Sequence, residues 1–319
     1  MENETKKSQF VGKSSRDVFG KVLVELAEKD QRVVAVTGDL SGSVRMTEFK
    51  KRFPNRFFNF GIAEQNMMGA SAGLAITGKI PYVSTFAVFA SMRAGEQART
   101  DIAYNELPVR ICATHSGMSL GVGGATHHSL EDIGIFRNMP GMIVLVPADG
   151  VETAAMLRIS LALRGPVYIR LGRPKEKTVY EQDFKYIIGK ADILQEGKDI
   201  AILVCGGLVG HALDAADLLK DNGVDAGVVN VSTIKPIDKE TIIKVAESTG
   251  AILTVEEHNI INGLGSAVAE IIAEAGIRVR FKRHGILDTF TTSGPYEDLH
   301  AYYLLDAQGI AETAQNLIE

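Results

Sequence analysis

The glutamate at position 64 is the first candidate for chemistry because of the residues on either side of it. Glu64 follows a glycine turn in the segment NFGIAEQN and leads into MMGASAGLAITG, a run of small and apolar residues. The helix dipole also favours a glutamate at a helix start, so its position alone has an ordinary structural explanation. A carboxylate that leads into tightly packed small residues is, in addition, partly shielded from water, which suits proton transfer. We therefore treat Glu64 as a candidate acid–base group.

Two phenylalanines and a methionine follow at three-residue spacing. Phe86, Phe89 and Met92 lie in the segment STFAVFASM, which the pattern places at a strand end and the first turn of a helix. Such a stripe usually packs in a core, which is the ordinary explanation. The functional alternative is an apolar slot that accepts a flat ring.

Three histidines occupy a glycine-rich stretch after the predicted strand that ends at Thr114. His115 comes directly after that strand, and His127 and His128 stand together at the end of GVGGATHH. Loops beyond the carboxyl ends of parallel strands are where α/β proteins place ligands. A zinc site is disfavoured because two of the histidines are adjacent and no cysteine is near. A polar or phosphorylated ligand is the better interpretation.

Single polar residues follow two further predicted strands. Asp39 lies in GDLSGS after the first strand, and Arg173 ends the RLGR segment after the last strand of the first unit. Asp39 could simply cap a helix, and Arg173 could be a solvated linker charge. Each signal is weak alone, but both residues lie where a parallel sheet collects ligand-binding side chains.

The elements that must position these residues alternate between strands and helices. Short β-branched runs predict strands at residues 32–37, 81–85, 109–114, 142–147 and 166–171, with helical patterns at 15–30, 63–77, 92–105, 130–139 and 150–164. A charged segment, 172–198, interrupts the alternation and is interpreted as a linker whose end belongs to the next sheet. Further strands are predicted at 199–205, 226–231, 251–256 and 278–281, with helices at 210–222, 238–249, 265–275 and 310–319. We predict an α/β fold of two consecutive domains, residues 1–185 and 186–319, each a mainly parallel sheet flanked by helices.

Composition narrows the function classes. The 319 residues are 45% hydrophobic and 23% charged, with a formal net charge of −5, so no basic field attracts nucleic acid. No stretch approaches the roughly 20 apolar residues of a membrane helix, so no membrane partner is expected. Cys112 and Cys205 each lie in an apolar run, as buried thiols do in the reducing cytosol, and we predict a cytoplasmic protein. A dinucleotide fold is unsupported, because no GxGxxG opens a helix after the first strand.

Five segments, taken together and in order, indicate a family resemblance over nearly the whole chain. They are GIAEQNMMGASAGLA, STFAVF, ATHSG with ATHH, VPADGVE and PVYIRLGRP. The set resembles the pyrimidine-binding and C-terminal domains of transketolases, which use thiamine diphosphate to transfer a two-carbon ketol unit between sugar phosphates. The family's Gly-Asp-Gly motif, which binds the diphosphate through Mg²⁺, is not in this sequence. The resemblance therefore implies the C-terminal subunit of a split enzyme, active only with an N-terminal transketolase subunit that supplies the diphosphate and Mg²⁺ site. It also implies self-association, with two chains of each kind.

The resemblance implies roles for the cofactor-binding residues. Glu64 matches the catalytic glutamate that bonds N1′ of the pyrimidine ring and so activates the cofactor. Phe86 and Phe89 match the pocket that stacks on that ring, and Met92 stands where some members have tyrosine. Asp39 matches a residue near the thiazolium ring and the subunit interface.

Substrate contacts are implied in the same way. Arg16, Ser43 and Arg173 match residues that hold the acceptor phosphate, a task that suits arginine because it bonds phosphate in a bidentate manner. His115 and His127 match catalytic histidines that contact substrate hydroxyls or phosphate. No metal ligand is implied in this chain itself.

One position departs from the family pattern. The loop usually reads Asp-Gly-Pro/Ala-Thr/Ser-His-Gln, but Gly123 replaces the aspartate that contacts a hydroxyl of the donor sugar. Loss of such a partner changes substrate preference strongly, so the donor sugar is left open. Three alternatives also stay open: a subunit like deoxyxylulose-phosphate synthase, one like the β-subunit of 2-oxoacid dehydrogenases, and a non-catalytic regulatory subunit.

Overall fold

Two α/β units form the chain, each built on its own sheet. The computed structural model describes residues 7–319. The elements of the first unit are α1 (Ser15–Lys29), β1 (Val33–Thr37), α2 (Thr47–Arg52), β2 (Phe57–Asn59), α3 (Glu64–Ile76), β3 (Ile80–Ser84), α4 (Gly95–Gln97), β4 (Arg110–Ala113), α5 (Asp132–Arg137), β5 (Ile143–Leu145), α6 (Gly150–Ser160) and β6 (Val167–Arg170). The later elements are β7 (Asp192–Gln195), β8 (Ile200–Val204), α7 (Val209–Asp221), β9 (Ala226–Asn230), β10 (Thr233–Lys235), α8 (Lys239–Ser248), β11 (Ala251–Asn259), α9 (Leu264–Glu274), β12 (Arg280–Ile286), α10 (Tyr296–Tyr302) and α11 (Ala307–Ile318).

The first sheet has seven strands in the order β10-β5-β6-β4-β3-β1-β2. All its neighbours pair in parallel except β10, which is antiparallel to β5. Both faces are covered: Val36 of β1 packs in one apolar cluster with Met67 of α3, while Val33 and Ala35 pack in another with Phe19 of α1. Burial on both faces explains why these strands are continuous apolar runs in the sequence.

The second sheet has five strands in the order β12-β11-β8-β9-β7, parallel except where β7 pairs with β9. Helices α7 and α11 bury their small and apolar faces against it, including Ala212 and Ile310. The predicted α/β class, with two mainly parallel sheets flanked by helices, is therefore confirmed. Within residues 7–319, no helix is both long and apolar enough to cross a membrane.

Several elements differ from the predicted ones, and the reasons are local. The strands β2 and β10 have three residues each, too few for a hydrophobic period to show. The strand β7 was not predicted as a separate element, but it lies at the end of the charged segment 172–198, which we expected to belong to the second sheet. It forms the edge of that sheet, and none of its residues is fully buried. The short helices α2 and α10 were not predicted, and the helix predicted at 92–105 is instead α4 between two π-helical turns, Phe89–Arg93 and Ala98–Ala103.

The strand β10 ties the later part of the chain to the first sheet. It follows β9 of the second unit, yet Thr233 pairs with Leu145 of β5 at the edge of the first sheet. Just beside it, the Val146 amide donates to the Ser232 carbonyl oxygen at 2.8 Å. The two units therefore share a sheet edge in addition to the linker. The predicted division between residues 185 and 186 stays a prediction.

A buried ion pair joins the two units at the carboxyl end of β6. Arg170 Nε donates to Asp132 Oδ2 at 2.8 Å, and Arg170 Nη2 donates to the Glu257 carbonyl oxygen of the second unit at 2.9 Å. The Tyr168 hydroxyl donates to the same Asp132 oxygen at 2.5 Å. Burial alone would raise the pKa of Asp132, but the Arg170 charge and these bonds hold that pKa below its ordinary value. The carboxylate is therefore ionised and paired.

Replacing Arg170 with methionine leaves the Asp132 charge buried without its partner. We expect the free energy of unfolding to fall by about 3–5 kcal/mol, as measured by urea unfolding followed by circular dichroism. Arg164→Met is the matched control, because Arg164 is an exposed arginine between α6 and β6. Its replacement should change the free energy by less than about 0.5 kcal/mol. Equal effects of the two substitutions would contradict the role assigned to the ion pair.

Candidate active site

Loops that follow five strands of the first sheet meet at one edge. Asp39 follows β1, Glu64 follows β2, Phe86 follows β3, His115 follows β4 and Arg173 follows β6. Because these strands are parallel, their carboxyl ends lie side by side. Candidates from five separate segments of the sequence are thus brought to the same edge.

Glu64 is the first residue of α3 and is only 2% exposed. The turn before it depends on Gly61, whose φ of 72° is in the left-handed region that favours glycine. Gly38 lets the loop approach closely, since a Cβ there would lie 3.1 Å from the Gly61 carbonyl oxygen and 3.8 Å from Glu64 Cγ. Both carboxylate oxygens of Glu64 accept from Nη1 of Arg93, each at 3.1 Å. The carboxylate is therefore buried, but its cation comes from a residue that sequence analysis did not single out.

Two phenylalanines, Phe86 and Phe89, form an aromatic wall next to the histidines. The Phe86 and Phe89 rings stack with centroids 5.7 Å apart and planes 20° apart. Phe86 lies 4.0 Å from the His115 ring and Phe89 lies 5.5 Å from the His127 ring, measured between centroids. A bridge between Phe86 and Thr114 fixes the loops after β3 and β4 to each other. Met92 is 54% exposed. Of the three residues of the predicted apolar stripe, Phe86 and Phe89 therefore form the aromatic wall, and Met92 lies at the surface.

The His115 side chain is buried and its two nitrogens have different partners. Nε2 lies 3.4 Å from Arg16 Nη1, and Nδ1 lies 2.8 Å from Thr114 Oγ1. Because a guanidinium only donates, Nε2 accepts, which assigns the ring proton to Nδ1. Burial, reinforced by the charges of Arg16, Arg173 and Arg45, lowers the pKa of His115 to about 3. The ring is therefore neutral at physiological pH.

Arginines concentrate positive charge beside this histidine. Arg16 Nη1 donates to the Ser43 carbonyl oxygen at 3.2 Å, and burial together with the Arg45 charge lowers the pKa of Arg16. Within the described part of the chain, the buried Nε of Arg16 has no hydrogen-bond partner. Arg173 is exposed, and its charge also depresses the pKa of His115. A buried donor without an acceptor, in a group of arginines, is suited to an anion.

The histidine loop is held by the second unit. Gly117 and Ser129 close the loop through reciprocal backbone bonds of 3.0 and 2.9 Å. The buried His128 ring contacts Thr291 Oγ1 at 2.7 Å and the Gly121 carbonyl oxygen at 2.9 Å. His127 remains half-buried at the aromatic wall, with Nδ1 2.9 Å from Thr126 Oγ1. The two adjacent histidines therefore differ: His128 anchors the loop, and His127 faces the candidate site.

The loop packs tightly where the family aspartate is replaced. Gly123 ends the short 3₁₀ turn Gly121–Gly123. A Cβ on Gly123 would lie 2.6 Å from Leu120 Cδ2 and 3.1 Å from His127 Cβ. An aspartate fits here only if the Leu120 side chain moves, so the loop in its present packing suits a glycine.

Asp39 does not cap a helix. Its backbone amide donates to Asn59 Oδ1 at 2.8 Å, and Asn59 Nδ2 donates to Asp39 Oδ1 at 3.1 Å. The helix that follows, α2, has Met46 at its N-cap position and no side-chain cap. Asp39 is exposed and has a φ of 62°, so this exchange with Asn59 holds it at the loop surface. The ordinary explanation considered for Asp39 is therefore wrong.

Comparison with known proteins identifies the family. The model of the transketolase pyrimidine-binding domain matches residues 12–177, and that of the transketolase C-terminal domain matches residues 189–310. The chain belongs to the transketolase family. The resemblance expected from the five segments is thereby confirmed.

Transketolase-family relatives include chains of similar length. A protein of Methanocaldococcus jannaschii, named "Putative transketolase C-terminal section", is 45% identical over 304 residues, 95% of each chain. One of the subunits of an apulose-4-phosphate transketolase, from Phocaeicola vulgatus, is 41% identical over 305 residues, 95% of this chain and 97% of that one. A solved structure described as an inactive β4 tetramer of a split-gene transketolase is 42% identical, with a TM-score of 0.88, and the match covers 96% of this chain and 98% of that one.

One longer relative is named for a different reaction. The 1-deoxy-D-xylulose-5-phosphate synthase of Heliobacterium modesticaldum is 38% identical over 304 residues, which are 95% of this chain but 47% of that protein. Transketolase-family membership is thus shared by proteins named for different reactions.

The neutral state of His115 is open to direct measurement. With a pKa of about 3, its ring stays neutral from pH 5.5 to 8, so its imidazole carbon-bound proton signals should not shift over that range. Two-dimensional NMR of selectively histidine-labelled protein measures this, with His115→Asn identifying the signal by its loss. A titration midpoint between pH 5.5 and 7.5 would refute the assignment.

Proposed function

We propose that this chain is the C-terminal subunit of a split transketolase, which transfers a two-carbon ketol unit from a ketose phosphate to an aldose phosphate. The single observation that supports this most strongly is the buried carboxylate of Glu64 at the same sheet edge as the Phe86–Phe89 wall. The relatives of equal length in split transketolases support the assignment to a subunit. We propose that it acts in the cytoplasm with an N-terminal subunit, two chains of each kind.

The residues around Glu64 fit the pyrimidine ring of thiamine diphosphate. When bound, this cofactor supplies the electron sink that lets a carbon–carbon bond of the ketose break. Glu64 would hold the ring at N1′ and share a proton with it, and Phe86 and Phe89 would stack on its face. Met92 and Asp39 are both exposed at this edge, where a second subunit can cover them. We propose that the N-terminal subunit supplies the Mg²⁺ and diphosphate site, since the Gly-Asp-Gly motif is not in the sequence of the present chain.

The arginine group would bind the acceptor phosphate. Arg16 has a buried Nε without an acceptor in the described part of the chain, and Arg173 adds an exposed charge from the next loop. Arg16 Nη1 donates to the Ser43 carbonyl oxygen, so Ser43 lies beside Arg16, and its hydroxyl would bind the same anion. His115 is neutral and protonated on Nδ1, and its Nε2 would accept a hydrogen bond from a substrate hydroxyl once Arg16 Nη1 turns from that nitrogen to the phosphate. His127 would contact the sugar from the aromatic wall.

The donor sugar is proposed to differ from the ordinary pentose-phosphate donors. Gly123 provides no side chain to accept from a sugar hydroxyl, and an aspartate at this position would require the Leu120 side chain to move. A relative named for apulose-4-phosphate supports an unusual ketose phosphate as donor. A second candidate, synthesis of deoxyxylulose phosphate from pyruvate, is favoured by the likeness to the synthase half. Pyruvate consumption by the reconstituted complex separates the two.

Glu64→Gln removes the proton-sharing group while preserving its shape. In the complex reconstituted with the N-terminal subunit, Mg²⁺ and thiamine diphosphate, we expect the rate of ketol transfer to fall by about 10²–10⁴-fold. The transfer is followed by chromatography of the sugar phosphates. Glu96→Gln is the control, because Glu96 is exposed in α4 and its bonds go to its neighbours Gln97 and Thr100. Full activity of Glu64→Gln would contradict the catalytic role of Glu64 and favour the alternative of a non-catalytic regulatory subunit.

Arg173→Met tests the phosphate role. Loss of one charge-assisted contact should raise KM for an aldose phosphate acceptor about 10-fold to 100-fold. The rate with the same aldose lacking its phosphate should change little, because the lost contact is to the phosphate. Steady-state kinetics with both acceptors measures the ratio, and Lys175→Met, another exposed cation of the same loop, is the control. Equal losses for both acceptors would exclude a phosphate-binding role.

A further inference from the structure

Arg93 occupies a particular place in the candidate site. Its Nη1 lies 3.1 Å from each oxygen of the Glu64 carboxylate, and its guanidinium carbon lies 4.1 Å from the centre of the Phe89 ring. The guanidinium group thus lies against an aromatic face while an N–H group points to the buried carboxylate. These are the two contacts that the proposed function assigns to the pyrimidine ring.

A guanidinium group can imitate an aminopyrimidine ring because both are planar, delocalised and carry N–H groups at their edge. Each satisfies Glu64 by hydrogen bonding and Phe89 by stacking. Two planar groups cannot occupy the same contact face of Phe89 and the same carboxylate oxygens at one time. Binding of one therefore requires the other to leave.

We propose that Arg93 closes the pyrimidine pocket until the cofactor binds, before and after assembly with the N-terminal subunit, and that it competes directly with thiamine diphosphate for Glu64. This inference rests on the proposed function, since it takes the cofactor ring to bind between Glu64 and Phe89. Arg93 is then a positioning residue. It keeps the buried Glu64 carboxylate paired until the cofactor binds, and it lowers the affinity of the site for that cofactor.

The geometry and exposure of the Arg93–Glu64 contact allow the cofactor ring to replace it. A single nitrogen bridges the two oxygens at 3.1 Å, which is longer than the about 2.7–2.9 Å of strong charge-assisted bonds and lacks the two-pronged fork of a tight arginine–carboxylate pair. The Arg93 side chain is 48% exposed, so it can move into solvent without being buried elsewhere. Its backbone belongs to the π-helical turn Phe89–Arg93, a rare geometry that occurs often at functional sites.

Binding of thiamine diphosphate to the reconstituted complex tests the competition. Titration calorimetry at saturating Mg²⁺ gives the dissociation constant for wild type, Arg93→Met, Arg93→Lys and Arg99→Met. Removing the competitor should lower the dissociation constant about tenfold in Arg93→Met, because the pocket is then open in every molecule. Arg93→Lys keeps the positive charge but lacks the planar guanidinium group, so its dissociation constant should lie between those of wild type and Arg93→Met. Arg99, an exposed arginine of the next π-helical turn, is the matched control and should bind as wild type.

A double-mutant cycle on the chain alone tests whether the pair exists before assembly. Arg93→Met should lower Tm by a few degrees, because it leaves the Glu64 charge buried without a cation. In the Glu64→Gln background the same substitution should leave Tm unchanged. Additive effects in this cycle would contradict the pair, whatever the outcome of the titration.

The outcomes separate this inference from the proposed function. If the wild-type complex binds no thiamine diphosphate, the proposed function fails. If wild type binds but Arg93→Met binds with equal or weaker affinity, the proposed function stands and the competition is refuted. Tighter binding by Arg93→Met and by Arg99→Met alike would also refute it, since the effect would then be one of surface charge.

Discussion

Parallel pairing is the constraint on which the candidate site depends. In six of the seven strands of the first sheet the chain runs in the same direction, so every loop that leaves a carboxyl end starts from the same edge. The sheet thereby brings an acidic group, an aromatic wall and a cationic group together from segments more than a hundred residues apart. Each loop is then fixed by one or two local bonds, such as those between Asp39 and Asn59 or between Phe86 and Thr114. The strand order and direction of the sheet determine which residues lie close together, and the loop conformations determine how their side chains are oriented.

The second unit contributes to this edge from outside the sheet. Strand β10 extends the first sheet, Arg170 bonds across to the Glu257 carbonyl oxygen, and Thr291 holds the ring of His128. Two of these residues contact the loop on which His127 faces the aromatic wall: Thr291 bonds His128, and Arg170 also donates to the Ser129 carbonyl oxygen. A unit without a proposed catalytic group of its own thus fixes the geometry of the substrate-facing loop, so substitutions in it can act on a distant sugar through loop position.

The sequence predicts the sheet edge well and the pairings within it poorly. Phe86, His115 and Arg173 could be placed at strand ends because buried parallel strands are continuous apolar runs with visible limits. Glu64 could be placed only at the start of its helix, because the three residues of β2 before it show no such run. Arg93 could not be found in this way, because its approach to Glu64 depends on a π-helical turn where the pattern predicts an ordinary helix. The role of His128 depends on Thr291, 163 residues away, and nothing in the loop itself indicates that partner. Strand β10 could not be predicted because its three residues show no hydrophobic period and its pairing partner, β5, belongs to the other unit.

The surface around Glu64 has the composition of an interface. Ile62 and Met92, on the two segments that meet at this carboxylate, are 79% and 54% exposed, and the charged groups of Asp39 and Arg173 face solvent at the same edge. Exposed apolar side chains are costly to leave in water, and the charges beside them can pair with a complementary surface that covers both. A covering chain would bury the methionine and isoleucine, and it would lower the dielectric constant around Glu64, which strengthens every polar contact of that carboxylate. The same burial would make an unpaired Glu64 charge more costly, so a cation that leaves only when the cofactor ring replaces it, as proposed for Arg93, keeps the carboxylate paired at each stage of assembly.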